Sequence, residues 1–254
     1  MITDRIKTML GSCHNTTPLL PPTELYNEGW LLRLFLDWFS GRDIREHPLS
    51  FPENGKWFSE ALLPTAFLPR HREDPLGESW THADGVIGHF NIGNTGKGDL
   101  SLSRDATHFV VLEAKMFSKL SSGVTHAEYF DQAARNVSCI AETLNRAKVS
   151  PGELSRLSFH VLAPQSQIDR GAFYKQMSEV SIRATVERRV AEYEGERDHW
   201  FKEWFQPTIQ HADIACISWE HLLSDIREID ARFSKEIDQF YERCLLFNSP
   251  EGKG

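Results

Sequence analysis

The stretch Gly98-Asp-Leu-Ser-Leu-Ser-Arg-Asp-Ala-Thr-His-Phe-Val-Val-Leu-Glu-Ala-Lys115 decides how the chain is read. Leu100 and Leu102 alternate with Ser101 and Ser103. Arg104-Asp-Ala-Thr107 then breaks the alternation, and His108 to Leu112 forms a nearly continuous apolar run. Alternation followed by a turn and an apolar run predicts two short strands, the second one buried. In the second, period-two geometry puts Glu113 and Lys115 on one face and turns Ala114 away. A hairpin between the two strands places Asp99 beside that pair.

Two acids and a lysine at the edge of an apolar hairpin are poor core filling, because buried unpaired charge is costly and neighbouring carboxylates repel. A divalent cation removes the conflict. Asp99 and Glu113 offer the hard oxygen ligands preferred by Mg2+ or Mn2+, whose charge keeps both acids ionised and lowers the pKa of a bound water. Lys115 is placed to hold that water or a phosphate oxygen. A salt-bridged structural hairpin is the alternative explanation of the same residues.

Asp99, thirteen intervening residues, and then Glu113-Ala-Lys115 after an aliphatic strand resembles the PD-(D/E)XK nuclease superfamily, which includes restriction endonucleases. The resemblance covers about residues 23 to 165, and Gly98 stands where the family name has proline. It implies an α/β restriction-endonuclease-like core, a mixed central sheet flanked by helices, with C-terminal helical additions. It also implies a metal-dependent nuclease hydrolysing DNA phosphodiester bonds, with a role in defence or repair. In that reading Asp99, Glu113 and the Ala114 carbonyl hold Mg2+ or Mn2+, and Lys115 positions the water. Gln132 on the following helix and Glu28 on the first helix support the site. Lys97 is placed to touch substrate, and a homodimer is compatible with the reading. A non-catalytic nuclease-fold module that binds nucleic acid or a protein is the competing function. Asp84 is the competing acid, near the start of its own strand with twenty-eight residues between it and Glu113. Asp99 is preferred because its strand is expected to hairpin directly with the Glu-x-Lys strand.

The flanking sequence predicts the rest of this core. Residues 1 to 22 form an arm ending in Pro18-Leu-Leu-Pro-Pro22, and residues 23 to 254 form one domain with a peripheral extension from 166. Thr23 caps a helix over Glu24 to Phe39, whose apolar residues return at helical spacing. Residues 40 to 80 read as a surface excursion with a short helix near Trp57 to Leu63. Within it Arg70-His-Arg72 is the most basic point. His82 to Phe90 is read as a strand, Asn91 to Gly98 as a turn, and Thr125 or His126 as the start of a helix reaching Arg146. Leu157 to Ala163 closes the core sheet. Beyond it come a helix from Ser181 to Phe205 ending before Pro207, a strand at Ala212 to Trp219, and helices at Glu220 to Ile229 and Ala231 to Phe247.

Composition narrows the function classes. The 254 residues, 40% hydrophobic and 25% charged, are an ordinary globular mix with room for one large core. With 28 basic and 36 acidic residues the formal net charge is -8, which argues against a protein that coats nucleic acid and allows an enzyme with one basic face. Ser181 to Gly254 holds 10 basic and 15 acidic side chains, so it is a poor candidate for the phosphate-binding face. The four cysteines form no CxxC pair, and the 11 histidines form no HExxH, HxH or HxxxH motif. Walker and serine-elbow motifs are also missing. No apolar run approaches the roughly 18 residues of a membrane span, so a cytoplasmic protein with no membrane partner is expected.

Overall fold

The computed structural model describes residues 1–123 and 127–250. Its centre is a five-stranded mixed sheet in the order β1-β2-β5-β6-β7, formed by Lys56–Leu63 (β1), Thr81–Gly88 (β2), His108–Ala114 (β5), Arg156–Ala163 (β6) and Asp213–Ser218 (β7). Strands β1, β2 and β5 pair antiparallel, whereas β5, β6 and β7 pair parallel. Phe90–Ile92 (β3) and Leu100–Leu102 (β4) form a separate two-stranded ribbon.

Alternation along β5 explains why the sheet is covered on both sides. Phe109 and Val111 face the layer containing α3 (Gln132–Ala147) and α5 (Glu179–Ala191). Val110, Leu112 and Ala114 face the layer containing α2 (Glu28–Ser40), α8 (Trp219–Ile229) and α9 (Ala231–Asn248). Each fully buried aliphatic or aromatic side chain contributes about 1.5–3 kcal/mol, so a strand buried on both faces anchors the architecture. The parallel β5–β6 pair needs a long crossover, and α3 supplies it. Asp131 caps α3 by accepting from the amide of Ala134 at 3.0 Å.

Several local expectations change. The first strand of the sheet is Lys56–Leu63, where the sequence suggested a short helix. The helix-favouring Glu60-Ala-Leu-Leu63 run is overridden by pairing of Ala61 with Ala83 and Leu63 with Thr81, which buries Ala61 and Leu63. Helix α2 starts at Glu28, capped by Asn27, whose side chain accepts from the amide of Trp30, so Thr23 is not its cap. The expected helix start at Thr125 or His126 lies outside the described residues. Ile2–Gly11 in the N-terminal arm forms a helix, α1.

The expected helix from Ser181 to Phe205 breaks after α5, where Glu194 and Gly195 take positive φ of 49° and 93°. Asp198–Trp200 (α6), a π turn over Phe201–Phe205 and Gln206–His211 (α7) then carry the chain through Pro207. The wider π turn and a position in the first turn of α7 accommodate a proline that lacks the amide donor. Trp200, Phe201 and Phe205 are buried here, so this aromatic cluster packs the core. The C-terminal part therefore adds helices and also the fifth strand, β7. Among the described residues, Gln165–Asp169 (α4) and three 3-10 turns complete the set. Among the described residues no helix is long and apolar enough to cross a membrane.

Candidate active site at the β2–β5 edge

The structure brings Glu113 and Lys115 together as expected, but the acid facing them is Asp84. The β2–β5 register, Gly85 with Leu112 and Val86 with Val111, places Asp84 opposite Glu113 on the next step. Directly opposed residues of antiparallel strands share a face. Where the backbone ladder ends, the Asp84 carboxylate takes over as acceptor: Oδ2 accepts from the amide of Ala114 at 2.7 Å.

The hairpin expected between Asp99 and the Glu-x-Lys strand is not formed, because β4 pairs with β3 and the antiparallel neighbour of β5 is β2. Asp99 sits at the head of the ribbon, where its Oδ1 accepts from the Thr95 hydroxyl. It lines a hollow with Thr143, Arg146 and Ala147 near the C-terminal end of α3. Glu113 instead meets Gln132 and Asn136 at the helix's N-terminal end. From Asn136 to Thr143 is seven residues, about 10 Å of helix, so the two acids belong to different parts of the face.

Glu113 is almost fully buried, at 1% exposure. Its Oε1 accepts from Lys115 Nζ at 2.6 Å and from Gln132 Nε2 at 2.5 Å, and its Oε2 lies 3.5 Å from Asn136 Nδ2. Burial pushes its pKa well above the usual carboxylate range, the facing Asp84 adds to that rise, and Lys115 opposes it. Gln132 is itself held by the 117–123 loop, since its Oε1 accepts from the amide of Ser121 at 3.1 Å and its own amide donates to the Ser121 carbonyl at 3.0 Å. The Lys115 backbone is fixed on both sides: its amide donates to the Leu162 carbonyl at 2.8 Å and its carbonyl accepts from Trp219 Nε1 at 2.9 Å. The Lys115 and Glu113 side chains are therefore positioned by the strand, the crossover helix and the next parallel strand together.

Two further features belong to this edge. Asn136, one turn after Gln132, is fully buried, and its Oδ1 has no hydrogen-bond partner among the described residues. An unpaired buried polar atom costs about 1–3 kcal/mol. Glu60, opposite Asp84 across β1–β2 by the same counting of register, holds φ at 59° inside a strand, and its side chain pairs with Arg33 of α2 at 3.3 Å rather than with the acids. A non-glycine residue in that region stores strain of about 1–3 kcal/mol, and such strain gathers at functional sites. The i, i+4 spacing of Gln132 and Asn136 was visible in the sequence, whereas the strain at Glu60 had no sequence signal.

The remaining candidates lie elsewhere. Glu28 opens α2 on the opposite side of the sheet and lines a hollow of about 410 Å³ with Met116, Phe117 and Ser118. Lys97 lies in the turn before β4, where its amide donates to Thr95 Oγ1 at 3.2 Å. Arg70 pairs with Asp74 at 2.9 Å and with Glu196 at 3.2 Å, and lies over the Tyr193 ring, so it anchors its loop.

The donor set at the edge fits a hard divalent cation. Asp84 and Glu113 offer carboxylate oxygens of the kind such a cation takes, and the like charges of the acids call for compensation, whereas Asn136 turns its Nδ2 rather than its Oδ1 toward Glu113. The Ala114 carbonyl is the backbone oxygen between Glu113 and Lys115. Comparison of the chain with protein-family models, with curated proteins and with solved structures found no match.

Proposed function

We propose that this chain is a Mg2+- or Mn2+-dependent nuclease of restriction-endonuclease-like architecture that hydrolyses DNA phosphodiester bonds. The observation that carries the reading is the facing pair Asp84 and Glu113 with Lys115 Nζ 2.6 Å from Glu113. The element order supports it: helix α2, three antiparallel strands β1, β2 and β5, helix α3, then the parallel strand β6. A restriction-endonuclease-like core runs in this order, and Asp84 takes the part that the resemblance of the Glu113-Ala-Lys115 stretch assigned to Asp99.

In this reading Asp84 and Glu113, with the Ala114 carbonyl, hold the cation. Bound there, it supplies charge neutralisation for the acids and a water acidified for attack on phosphorus. Lys115 Nζ donates to the phosphate oxygen where negative charge develops, and helps hold the attacking water. Gln132 keeps Glu113 Oε1 in place, and through Ser121 it ties the acid to the loop that borders the site. Trp219, through the Lys115 carbonyl, fixes the backbone from which the Lys115 side chain extends. Glu28 is left without a part in this arrangement.

The test is incubation of the chain with linear and circular DNA in Mg2+, Mn2+ or EDTA, with binding measured in parallel. Metal-dependent cleavage supports the proposal. Binding without cleavage in either metal moves the chain to the class of nuclease-fold binding modules.

A further inference from the structure

We propose that the hollow beside Asp99 is a subsite for a single nucleobase, resting on the nuclease reading above for the identity of its ligand. The hollow, about 230 Å³, lies between the β3–β4 ribbon and the C-terminal end of α3. That is smaller than the roughly 300–1,000 Å³ of sites that enclose whole drug-sized ligands. It suits one ring system rather than a folded nucleotide chain.

Its lining has the three elements that base recognition uses. The buried side chains of Leu100 and Leu102 give an apolar floor. Trp80 and Arg146 both line the hollow, with the Arg146 guanidinium over the Trp80 indole at 5.2 Å, so an entering base would stack against this pair from its outer side or displace the guanidinium from the ring. Bases stack on both kinds of surface. The Asp99 carboxylate supplies an acceptor at the rim, suited to an exocyclic amine. Gly93 preserves that arrangement: a Cβ there would lie 1.8 Å from Asp99 Oδ2.

The chemistry disfavours a phosphate. Arg146 Nε already pairs with Glu142 at 2.7 Å, and Asp99 adds negative charge, so the site offers no unopposed cation to a phosphate group. A neutral ring with donor edges meets both constraints. Helix α3 connects this hollow to Glu113, and the separation along it is about 10–20 Å, measured from Asn136 to Thr143 and from Gln132 to Arg146. At about 3.4 Å per nucleotide along a stacked strand, the recognised base lies three to six nucleotides from the phosphate beside Lys115.

The experiment separates base binding from cleavage by working in EDTA. Anisotropy is measured for two labelled 12-nucleotide single strands, one of mixed sequence and one with abasic sites throughout. Wild type should prefer the base-bearing strand. Trp80→Ala and Arg146→Lys should each weaken that strand about tenfold, the scale of one lost stack, and leave the abasic strand unchanged. Trp80→Phe keeps an aromatic face and should retain most of the preference, which controls for a folding defect. Asp99→Asn should alter the ranking among strands of single base composition. Equal losses on both strands, no loss, or no preference by wild type overturns the proposal. Because no metal is present, none of these results depends on whether the chain cleaves DNA, and a failure of cleavage in Mg2+ leaves the base preference to be read on its own.

Discussion

The amide of Ala114 donates to Asp84 Oδ2 at 2.7 Å, a bond in which a side chain from β2 replaces the backbone acceptor at the end of the β2–β5 ladder. The carboxylate is thereby held against β5 at the level of Glu113, without a turn of chain connecting the two acids. It follows that the acidic pair is assembled across strands separated by the entire β3–β4 ribbon.

Asp84 and Asp99 should separate cleanly in a metal-binding experiment. Asp84→Asn removes one carboxylate charge from beside Glu113, and should lower Mg2+ or Mn2+ affinity and cleavage by tenfold or more. Asp99→Asn should leave metal affinity within about twofold of wild type. Titration calorimetry with Mn2+ on the two variants checks this, and the opposite order would return the site to the ribbon.

Glu113→Gln should remove activity while sparing or raising apo stability. The folded-state pKa of Glu113 is raised, so between the ordinary carboxylate pKa and the raised one the folded protein binds the extra proton, and apo stability falls as pH increases through that window. The glutamine has no such slope, yet its Oε1 can still accept from Lys115. In EDTA, the melting temperatures of the two proteins should diverge from pH 5 upward, with the variant higher by about 2–4 °C for each kcal/mol relieved. Adding Mg2+ should stabilise wild type more at high pH than at low pH, because a cation favours the ionised acid. A wild-type melting temperature that rises with pH in EDTA by the same amount in both proteins would count against the assignment.

Lys115→Arg should bind DNA and fail to cut it. The Lys115 side chain is 13% exposed and wedged against Glu113, and a planar guanidinium cannot occupy the compact position of the ammonium. A displacement of about 1 Å costs on the order of 10²-fold in rate. Phosphate attraction is retained with the charge. Single-turnover cleavage and filter binding on the same preparation give the two numbers.

Arg189 supplies a structural control far from this chemistry. It is fully buried, with Nη2 2.8 Å from Glu78, Nη1 2.5 Å from Glu192 and a further bond to the Leu76 carbonyl. Burial raises the Glu78 pKa to about 7, against the pull of Arg189. Arg189→Met strands Glu78 without its cation, and should destabilise the fold by about 3–5 kcal/mol. Urea unfolding measures it. Arg189 pulls the Glu78 pKa down, so without it folded Glu78 keeps its proton to higher pH and the loss should grow as pH rises above 7; a pH-independent loss would show that packing rather than charge dominates at this site.

What the sequence determined by itself is the part governed by local pattern. The apolar run from Phe109 to Leu112 is long enough and branched enough to be a strand buried on both faces, and period two then puts Glu113 and Lys115 on the same side. The helical spacing up to Arg146 likewise placed Gln132 on the helix after β5, and the structure sets it against Glu113. Which acid completes the site was decided by tertiary structure. Nearness in sequence favoured Asp99, but β3 offers β4 a ribbon partner through Phe90–Leu102 and Ile92–Leu100, and this leaves the antiparallel edge of β5 to β2. That choice depends on β1, whose strand identity is hidden behind a helix-favouring run and appears only when β2 pairs with it. Strand partnership is a long-range contact with no local signature, so side chains on one strand can be oriented from sequence, while their neighbours across the sheet are set by the pairing of the whole fold.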